Sequence, residues 1–191
     1  HPLRIAGLAK PEESLQGDSA TATFFDLLGI GSTFQSGYVE IKRLQDSPED
    51  YEADLSHNPD LAPALAVACA LNGIRFLFSG VRNLRVKECD RLAAIKAELA
   101  KLGFDITVGD DTLQWDGTSI LPDPDSVITT YDDHRIAMAF AMVALKTGSI
   151  RIAHPEVVDK SFADFWEKLP QLGLTCTRKD EIMTVTRHEI P

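Results

Sequence analysis

The sequence predicts an α/β protein built from repeated β-α-β-α-β-β units, the first of them truncated. A Leu-Gly pair recurs at Leu28, Leu102 and Leu172, spaced roughly seventy residues apart, which is typical of an internal repeat. Each pair ends a helix-like stretch, where glycine suits the left-handed position that follows a helix C-terminus. Two short strand-like runs joined by a polar turn follow each pair, as in a β-hairpin.

The first unit, about residues 1–45, holds only the second half of this pattern. We predict a strand starting at Leu3, a helix at 20–28 and a hairpin of 30–35 with 38–42. We infer that a missing strand and helix are supplied by chain not present here. The unit would then leave a sheet edge exposed and prone to association.

Two full units follow, at about 50–118 and 125–188. The middle unit predicts a strand at 51–55, a helix at 61–71, a strand at 74–78, a helix at 92–102 with apolar residues three and four apart, and a hairpin of 104–108 with 112–115. The third predicts a strand at 127–130, a helix at 135–145, a strand at 149–152, a helix at 162–169 and a hairpin of 174–178 with 182–186.

Composition excludes several classes of protein. No apolar run approaches the ~20 residues of a membrane span, and the net charge of −10 argues against broad nucleic-acid binding. The three widely spaced cysteines form no CxxC pair, which argues against a disulfide framework or a zinc site and fits a reducing cytosol. Because the chain starts at His1, we expect it to be a piece of something longer.

A charged cluster at residues 83–91 lies between a predicted strand and a predicted helix. Lys87 and Arg91 are four positions apart and can share a face beside Glu88, a carboxylate that could move a proton. Cations at a helix N-terminus are typical of a site for an anion. The alternative is a solvated helix start with local salt bridges.

Three more helix starts carry polar groups. Asp60 precedes an apolar helix and is an N-cap candidate. Asp132, Asp133 and His134 are compatible with a metal site, although Arg135 beside them is the better clue, since guanidinium grips carboxylate or phosphate. Lys160 precedes a third apolar run and by itself reads as solvated.

These segments resemble a known family. Asn83-Leu84-Arg85-Val86-Lys87-Glu88-Cys89-Asp90-Arg91 and Asp132-Asp133-His134-Arg135-Ile136-Ala137-Met138 are similar to two signature segments of the EPSP synthase (3-phosphoshikimate 1-carboxyvinyltransferase) family. Pro59-Asp60, Asp159-Lys160-Ser161-Phe162 and Gln16-Gly17-Asp18 resemble three further segments. The resemblance covers essentially the whole chain and implies a single C-terminal domain, 1–191, of an enolpyruvyl transferase-like fold. That fold has two similar domains of three βαβαββ units, with the active site in the cleft between them.

The resemblance also implies an activity. The family transfers the enolpyruvyl group of phosphoenolpyruvate to the 5-hydroxyl of shikimate 3-phosphate and releases phosphate, a cytoplasmic step toward chorismate and the aromatic amino acids and the target of glyphosate. Both substrates are anions, and neither metal nor organic cofactor is implied. The enzyme's N-terminal domain is absent from this chain, so we expect a chain that folds but has little or no turnover.

Residue roles follow from the resemblance by motif. Asp60 is the expected base near the substrate hydroxyl, and Glu88 is the expected acid toward the methylene carbon. Asn83 and Lys87, with Asp60, are expected to contact shikimate 3-phosphate. Phosphoenolpyruvate is expected to be held by Arg91, Arg135 and Lys160, with His134 a neighbour of uncertain role. Cys89 departs from the Ser or Thr expected there.

Two rival interpretations remain open. A related enolpyruvyl transferase that uses UDP-N-acetylglucosamine shares the fold and phosphoenolpyruvate, although we do not expect it to carry both signature segments. The chain could also be a non-catalytic domain that binds anions. Neither glyphosate sensitivity nor oligomeric state follows from the sequence.

Overall fold

The structure is a computed structural model that describes residues 2–8, 10, 13–14 and 17–188. Its described residues form ten strands in three separate sheets, with helices packed between them. The strands are β1 (Leu3–Ala6), β2 (Ile30–Gln35), β3 (Tyr38–Arg43), β4 (Asp50–Asp54), β5 (Arg75–Ser79), β6 (Thr107–Val108), β7 (Thr112–Trp115), β8 (Ser149–Ala153), β9 (Leu174–Lys179) and β10 (Ile182–Arg187). The predicted α/β class with repeated units is confirmed.

The helices lie between the strands as the repeat predicts. They are α1 (Thr21–Asp26), α2 (Ala62–Leu71), α3 (Arg91–Lys101), α4 (His134–Ala141), α5 (Ala144–Thr147), α6 (Asp159–Phe162) and α7 (Phe165–Lys168). Short 3₁₀ turns cover Gly17–Ala20, Pro59–Leu61, Arg82–Val86, Pro155–Val158 and Leu169–Leu172. The single helices predicted at 135–145 and 162–169 are therefore wrong in detail, because each is interrupted.

The middle unit has the full predicted order of elements. Its sheet runs β4-β5-β7-β6, in which β4 and β5 are parallel and β5, β7 and β6 pair antiparallel. Helices α2 and α3 form the two crossovers. The predicted strand 104–108 is shorter than expected, since only Thr107 and Val108 join the ladder.

The other two sheets repeat the same arrangement with fewer strands. They run β1-β3-β2 and β8-β10-β9, which matches the order β5-β7-β6 of the middle sheet. In the third unit the place of β4 is taken by a single parallel bridge between Ile128 and Ile152. The strand predicted at 127–130 is therefore wrong beyond that one bridge.

The Leu-Gly pairs act as predicted. Gly29, Gly103 and Gly173 have φ angles of 84°, 98° and 80°, which is the left-handed region that favours glycine. Each glycine ends a helical segment and turns the chain into the hairpin that follows. The turn that follows each helix depends on a glycine at a fixed position, so the sequence alone predicted it.

The core lies between the middle and third units. Helix α2 is apolar on nearly all sides and is buried against α4 and the middle sheet. The first unit adds little to this cluster, and Leu28 is its one fully buried contributor there among the described residues. In the part of the chain that the structure describes, no helix is long and apolar enough to cross a membrane.

Candidate active site

Three helix starts converge on one point. Asp60 lies in the 3₁₀ turn before α2, Arg91 is the first residue of α3, and Asp133 is the N-cap of α4. These positions belong to two different units and are up to 73 residues apart in sequence, taking 133 minus 60. The contact of α2 with α3 and α4 brings them together.

Arg91 is the centre of the cluster. Its side chain is only 1% exposed, and its guanidinium is bonded to three carboxylates. Nε donates to Asp133 Oδ2 at 2.6 Å, Nη1 to Asp60 Oδ1 at 2.7 Å and Nη2 to Glu88 Oε2 at 2.5 Å. A planar guanidinium suits this fork-like arrangement, which holds the two predicted acid–base residues on one cation.

Asp133 is the second fully buried charge of the cluster. Its side chain is 0% exposed and receives two guanidinium bonds from Arg91 together with the backbone N–H of Arg135 at 2.8 Å. Burial opposes its ionisation, but these bonds outweigh burial and hold the pKa of Asp133 below its usual value. The sequence suggested Asp133 only as part of a possible metal site and did not indicate that it is the partner of Arg91.

Three cationic side chains surround the Asp60 carboxylate. Lys87 Nζ lies 3.1 Å from Oδ1, and Arg135 Nη2 lies 3.8 Å from Oδ2, in addition to the bond from Arg91. Burial works against ionisation, yet the Lys87 hydrogen bond and the three positive charges keep the pKa of Asp60 low. A carboxylate that stays ionised is ready to accept a proton.

Arg135 bridges the first unit to the centre of the site. It donates to both carboxylate oxygens of Asp18, at 3.0 and 3.3 Å, and to the backbone carbonyl of Asp60 at 3.1 Å. Its side chain is 24% exposed, so a ligand can reach it. Asp18 belongs to the predicted segment 16–18, whereas Gln16 lies outside the described residues.

Lys160 and His134 adjoin this centre, whereas among the described residues the Asn83 side chain makes no hydrogen bond to it. Lys160 donates to the backbone carbonyl of Asp132 at 2.8 Å, and Asn83 is exposed on the 3₁₀ turn Arg82–Val86. His134 opens α4 next to Asp133, and its Nδ1 is buried without a hydrogen-bond partner among the described atoms. Burial lowers the pKa of His134, which favours the neutral imidazole.

Cys89 fits the site as a neutral thiol. Its Sγ lies 3.6 Å from Asp133 Oδ2, within the range of a weak hydrogen bond. Burial, and then the charge of Asp133, raise the pKa of Cys89 to about 12. The thiol therefore acts as a small donor at this position, as a hydroxyl would.

Two details differ from the sequence-based expectations. Helix α3 begins at Arg91, so Lys87 precedes the helix, and the two cations meet through Asp60 rather than along a helical face. Asp60 makes no N-cap hydrogen bond, because the turn Pro59–Leu61 aims its carboxylate at the cations. Helix α2 therefore has no side-chain N-cap, whereas α3 has one in Asp90, which accepts from Ala93 N–H at 3.0 Å.

The metal alternative gains no support from this geometry. Among the described residues, no group of three or more His, Cys, Asp and Glu side chains is arranged to hold a metal ion. Asp133, the acidic residue nearest to His134 in the proposed set, is already bonded to Arg91.

Comparison with known proteins decides the family. Residues 10–169 match the family model described as EPSP synthase (3-phosphoshikimate 1-carboxyvinyltransferase). The chain belongs to the EPSP synthase family. The matched range contains all eight predicted site residues, from Asp60 to Lys160.

Curated relatives carry the family's name. A 3-phosphoshikimate 1-carboxyvinyltransferase of Bacteroides fragilis is 37% identical over 172 residues, covering 90% of this chain and 42% of the relative. One of Dehalococcoides mccartyi is also 37% identical over 172 residues, covering 90% and 39%. The chain thus spans about two-fifths of the length of the EPSP synthases it matches.

A solved structure shares the fold. The EPSP synthase of Acinetobacter baumannii matches with a TM-score of 0.69 at 23% identity, covering 96% of this chain and 43% of that one. At this identity the likeness shows the fold of the family.

Proposed function

We propose that this chain forms one half of the active site of an enzyme that transfers the enolpyruvyl group of phosphoenolpyruvate to the 5-hydroxyl of shikimate 3-phosphate. The chain is proposed to be a single domain, 1–191, and the second domain of the enzyme is proposed to supply the remaining substrate contacts. The names of the relatives support this reaction. A cytoplasmic location fits the unpaired cysteines.

One observation carries the proposal. The two signature segments, around Arg91 and around Asp133, meet as a buried pair that also holds Asp60 and Glu88. An arbitrary charged surface would leave these groups solvated and apart. Here three helix starts place a base, an acid and several cations within one cluster.

The proposed chemistry begins with Asp60. Its ionised carboxylate takes the proton of the 5-hydroxyl as that oxygen bonds to the central carbon of phosphoenolpyruvate, while Glu88 protonates the methylene carbon. The tetrahedral intermediate then loses phosphate, and the Glu88 carboxylate takes a proton from the new methyl group, which leaves the enolpyruvyl ether. The cations stabilise the charge on the departing phosphate.

The proposed substrate contacts are those that the family resemblance implies. Lys87, with Asn83 and Asp60, faces the shikimate 3-phosphate side, and Arg135 and Lys160 hold phosphoenolpyruvate beside His134. Arg91 is buried behind Glu88, so it contacts phosphoenolpyruvate only after Glu88 moves aside. We expect that movement to free the Glu88 carboxylate to take up the proton it later donates.

The test is a titration of the isotope-labelled chain with shikimate 3-phosphate and phosphoenolpyruvate, followed by amide shifts. We expect weak binding with shifts confined to the surroundings of Lys87, Arg91, Arg135 and Lys160. Arg135→Gln should weaken binding about tenfold or more, the scale of a hydrogen bond to a charged group. The matched control Arg178→Gln removes an arginine of β9 that bonds to Glu156 and to the carbonyl of Asp180 rather than to a predicted site residue, and it should have no effect.

Other ligands separate the rival interpretations. Shifts at these residues with UDP-N-acetylglucosamine, and none with shikimate 3-phosphate, would favour the related transferase. Equal shifts with inorganic sulfate at the same concentration would favour a domain that binds anions without chemistry. No shifts at millimolar substrate would contradict a preformed half-site in this chain.

A further inference from the structure

We propose that Glu98 and Tyr131 form a positioning pair that holds Asp133 and Lys160 in place from behind the site. Neither residue belongs to the cluster described above, and Glu98 lies at the opposite end of α3 from Arg91. The consequence for catalysis rests on the proposed function, whereas the positioning itself is a property of the ligand-free chain.

Helix α3 carries two fully buried charges on one face. Arg91 and Glu98 are seven positions apart, about two helical turns, so both side chains point the same way. Both contact the segment 127–135, Arg91 at Asp133 and Glu98 further back. Helix α3 therefore bonds to this segment at two separate points.

The Glu98 carboxylate bonds to two residues of that segment and to Lys101, which itself bonds to the segment. Oε1 accepts from the Tyr131 hydroxyl at 2.7 Å, and Oε2 accepts from Thr129 N–H at 3.1 Å and Lys101 Nζ at 2.6 Å. Lys101 also donates to the carbonyl of Val127 at 2.8 Å. The Glu98 side chain is 0% exposed, and both of its carboxylate oxygens have hydrogen-bond partners within the chain, so neither oxygen is available to a ligand. Its role is to hold the backbone of the segment 127–135 in place.

The segment needs such support because its backbone is strained. Tyr131 and Asp132 have φ angles of 54° and 56°, successive left-handed residues without glycine. Each such residue costs about 1–3 kcal/mol and persists only where its surroundings impose it. The bond from the Tyr131 hydroxyl to Glu98 supplies one of these constraints.

The strained turn determines where two site residues lie. Directly after it, Asp133 receives the guanidinium of Arg91, and the carbonyl of Asp132 receives Lys160 Nζ at 2.8 Å. If the turn relaxed toward ordinary φ values, both groups would move. Glu98 and Tyr131 thereby act on the site through the backbone and touch no substrate.

The experiment compares two tyrosine variants of the chain without ligand. Tyr131→Phe removes the hydroxyl bonded to Glu98, and the matched control Tyr51→Phe removes a buried hydroxyl bonded to the carbonyl of Phe24. We expect Tyr131→Phe to speed solvent exchange of the Arg91 Nε proton, observed by NMR, about tenfold or more, as loss of a hydrogen bond to a charged group predicts. Tyr51→Phe should leave that rate within about twofold of the wild type.

Two outcomes overturn the proposal. They are an unchanged Arg91 exchange rate in Tyr131→Phe, and an equal acceleration in both variants, which would indicate general loosening. Should Tyr131→Phe fail to fold, Glu98→Gln gives the same comparison, since it keeps the shape but cannot accept from Lys101 and Thr129 in the same way. This readout needs no substrate, so failure of the proposed reaction would leave it intact.

A second measurement links positioning to binding. If the wild-type chain binds phosphoenolpyruvate, Tyr131→Phe should weaken that binding while Tyr51→Phe does not. Changed Arg91 exchange with unchanged affinity would overturn the link to function. No binding by the wild type would count against the proposed function alone.

Discussion

At Arg91 the protein holds a guanidinium away from water by surrounding it with carboxylates. Removing one partner of a buried ion pair leaves an uncompensated charge, which is far more costly than losing an exposed pair. Asp133→Asn should therefore lower the free energy of unfolding by about 3–5 kcal/mol, measured by denaturant titration.

The control for this variant is Asp164→Asn. Asp164 forms an exposed pair with Lys168, at 3.0 Å, and its removal should change stability by less than about 1 kcal/mol. Equal effects of the two variants would mean that Arg91 does not depend on Asp133 for its burial.

The same pair predicts a dependence on pH. Because the folded-state pKa of Asp133 is lowered, its charged form contributes stability above the unfolded pKa, and that contribution is lost as pH falls through the folded pKa. The stability difference between wild type and Asp133→Asn should be constant from about pH 6 to 8 and shrink below about pH 5. Unfolding curves at several pH values check this, and a difference that stays constant down to about pH 3 would contradict it.

The sequence predicted some of the residues that form the site but not all of them. The charged segments at helix starts indicated Glu88, Arg91 and Arg135, whereas Asp60 was only an N-cap candidate until the family resemblance predicted it as a site residue. The sequence could not predict that Asp133 is the buried partner of Arg91, since that contact joins residues 42 apart. Only the packing of α3 against α4 decides it.

At the scale of elements, the missing strand of the third unit has a physical cause. The sequence at 127–130 reads as a strand, and Ile128 does pair with β8, but the carbonyl of Thr130 accepts the N–H of Asp133 in a turn. The chain therefore leaves the sheet after Ile128, and the groups on the outer side of the segment, Thr129 N–H and the carbonyl of Val127, bond to Glu98 and Lys101 instead of to a strand. Local patterning predicted the hairpins correctly because their turn residues are recognisable, and failed here because the strand-like residues do not reveal the turn that follows Ile128.

The sheet of the first unit has an open edge. Among the described residues, β1 pairs with β3 on one side and with no strand on the other. Beside it a mainly apolar groove of about 630 Å³ lies between the sheet and α1, lined by residues such as Ile5, Phe25 and Val39. In the middle unit a strand and a helix fill the corresponding places.

This edge predicts self-association of the chain. We expect the average mass in sedimentation to rise with concentration, and Leu3→Lys to reduce the rise, because a charge on an edge strand opposes pairing with another strand. Leu121→Lys is the control, since Leu121 is exposed in a loop away from any strand edge. A monomer mass at all concentrations would refute the prediction.

At the scale of the whole molecule, the charge distribution explains how an acidic chain could bind the anionic substrates of the proposed reaction. The net charge is −10, yet Lys87, Arg91, Arg135 and Lys160 are gathered at one place. Within the described residues each of these cations already contacts a carboxylate or a carbonyl of the chain itself. Under the proposed function, the phosphates of the substrates must therefore compete with these internal partners, and cations from the proposed second domain would favour substrate binding.

That competition predicts the behaviour of the isolated chain. Supplied with shikimate 3-phosphate and phosphoenolpyruvate, it should fold normally and release phosphate no faster than buffer alone, because one half of the charge environment is not enough to stabilise the transition state. A phosphate-release assay checks this, with a full-length relative such as the Bacteroides fragilis enzyme as the positive control. Turnover by the chain alone at roughly 1 to 10³ s⁻¹, the range of ordinary enzymes, would show that these residues suffice for the reaction.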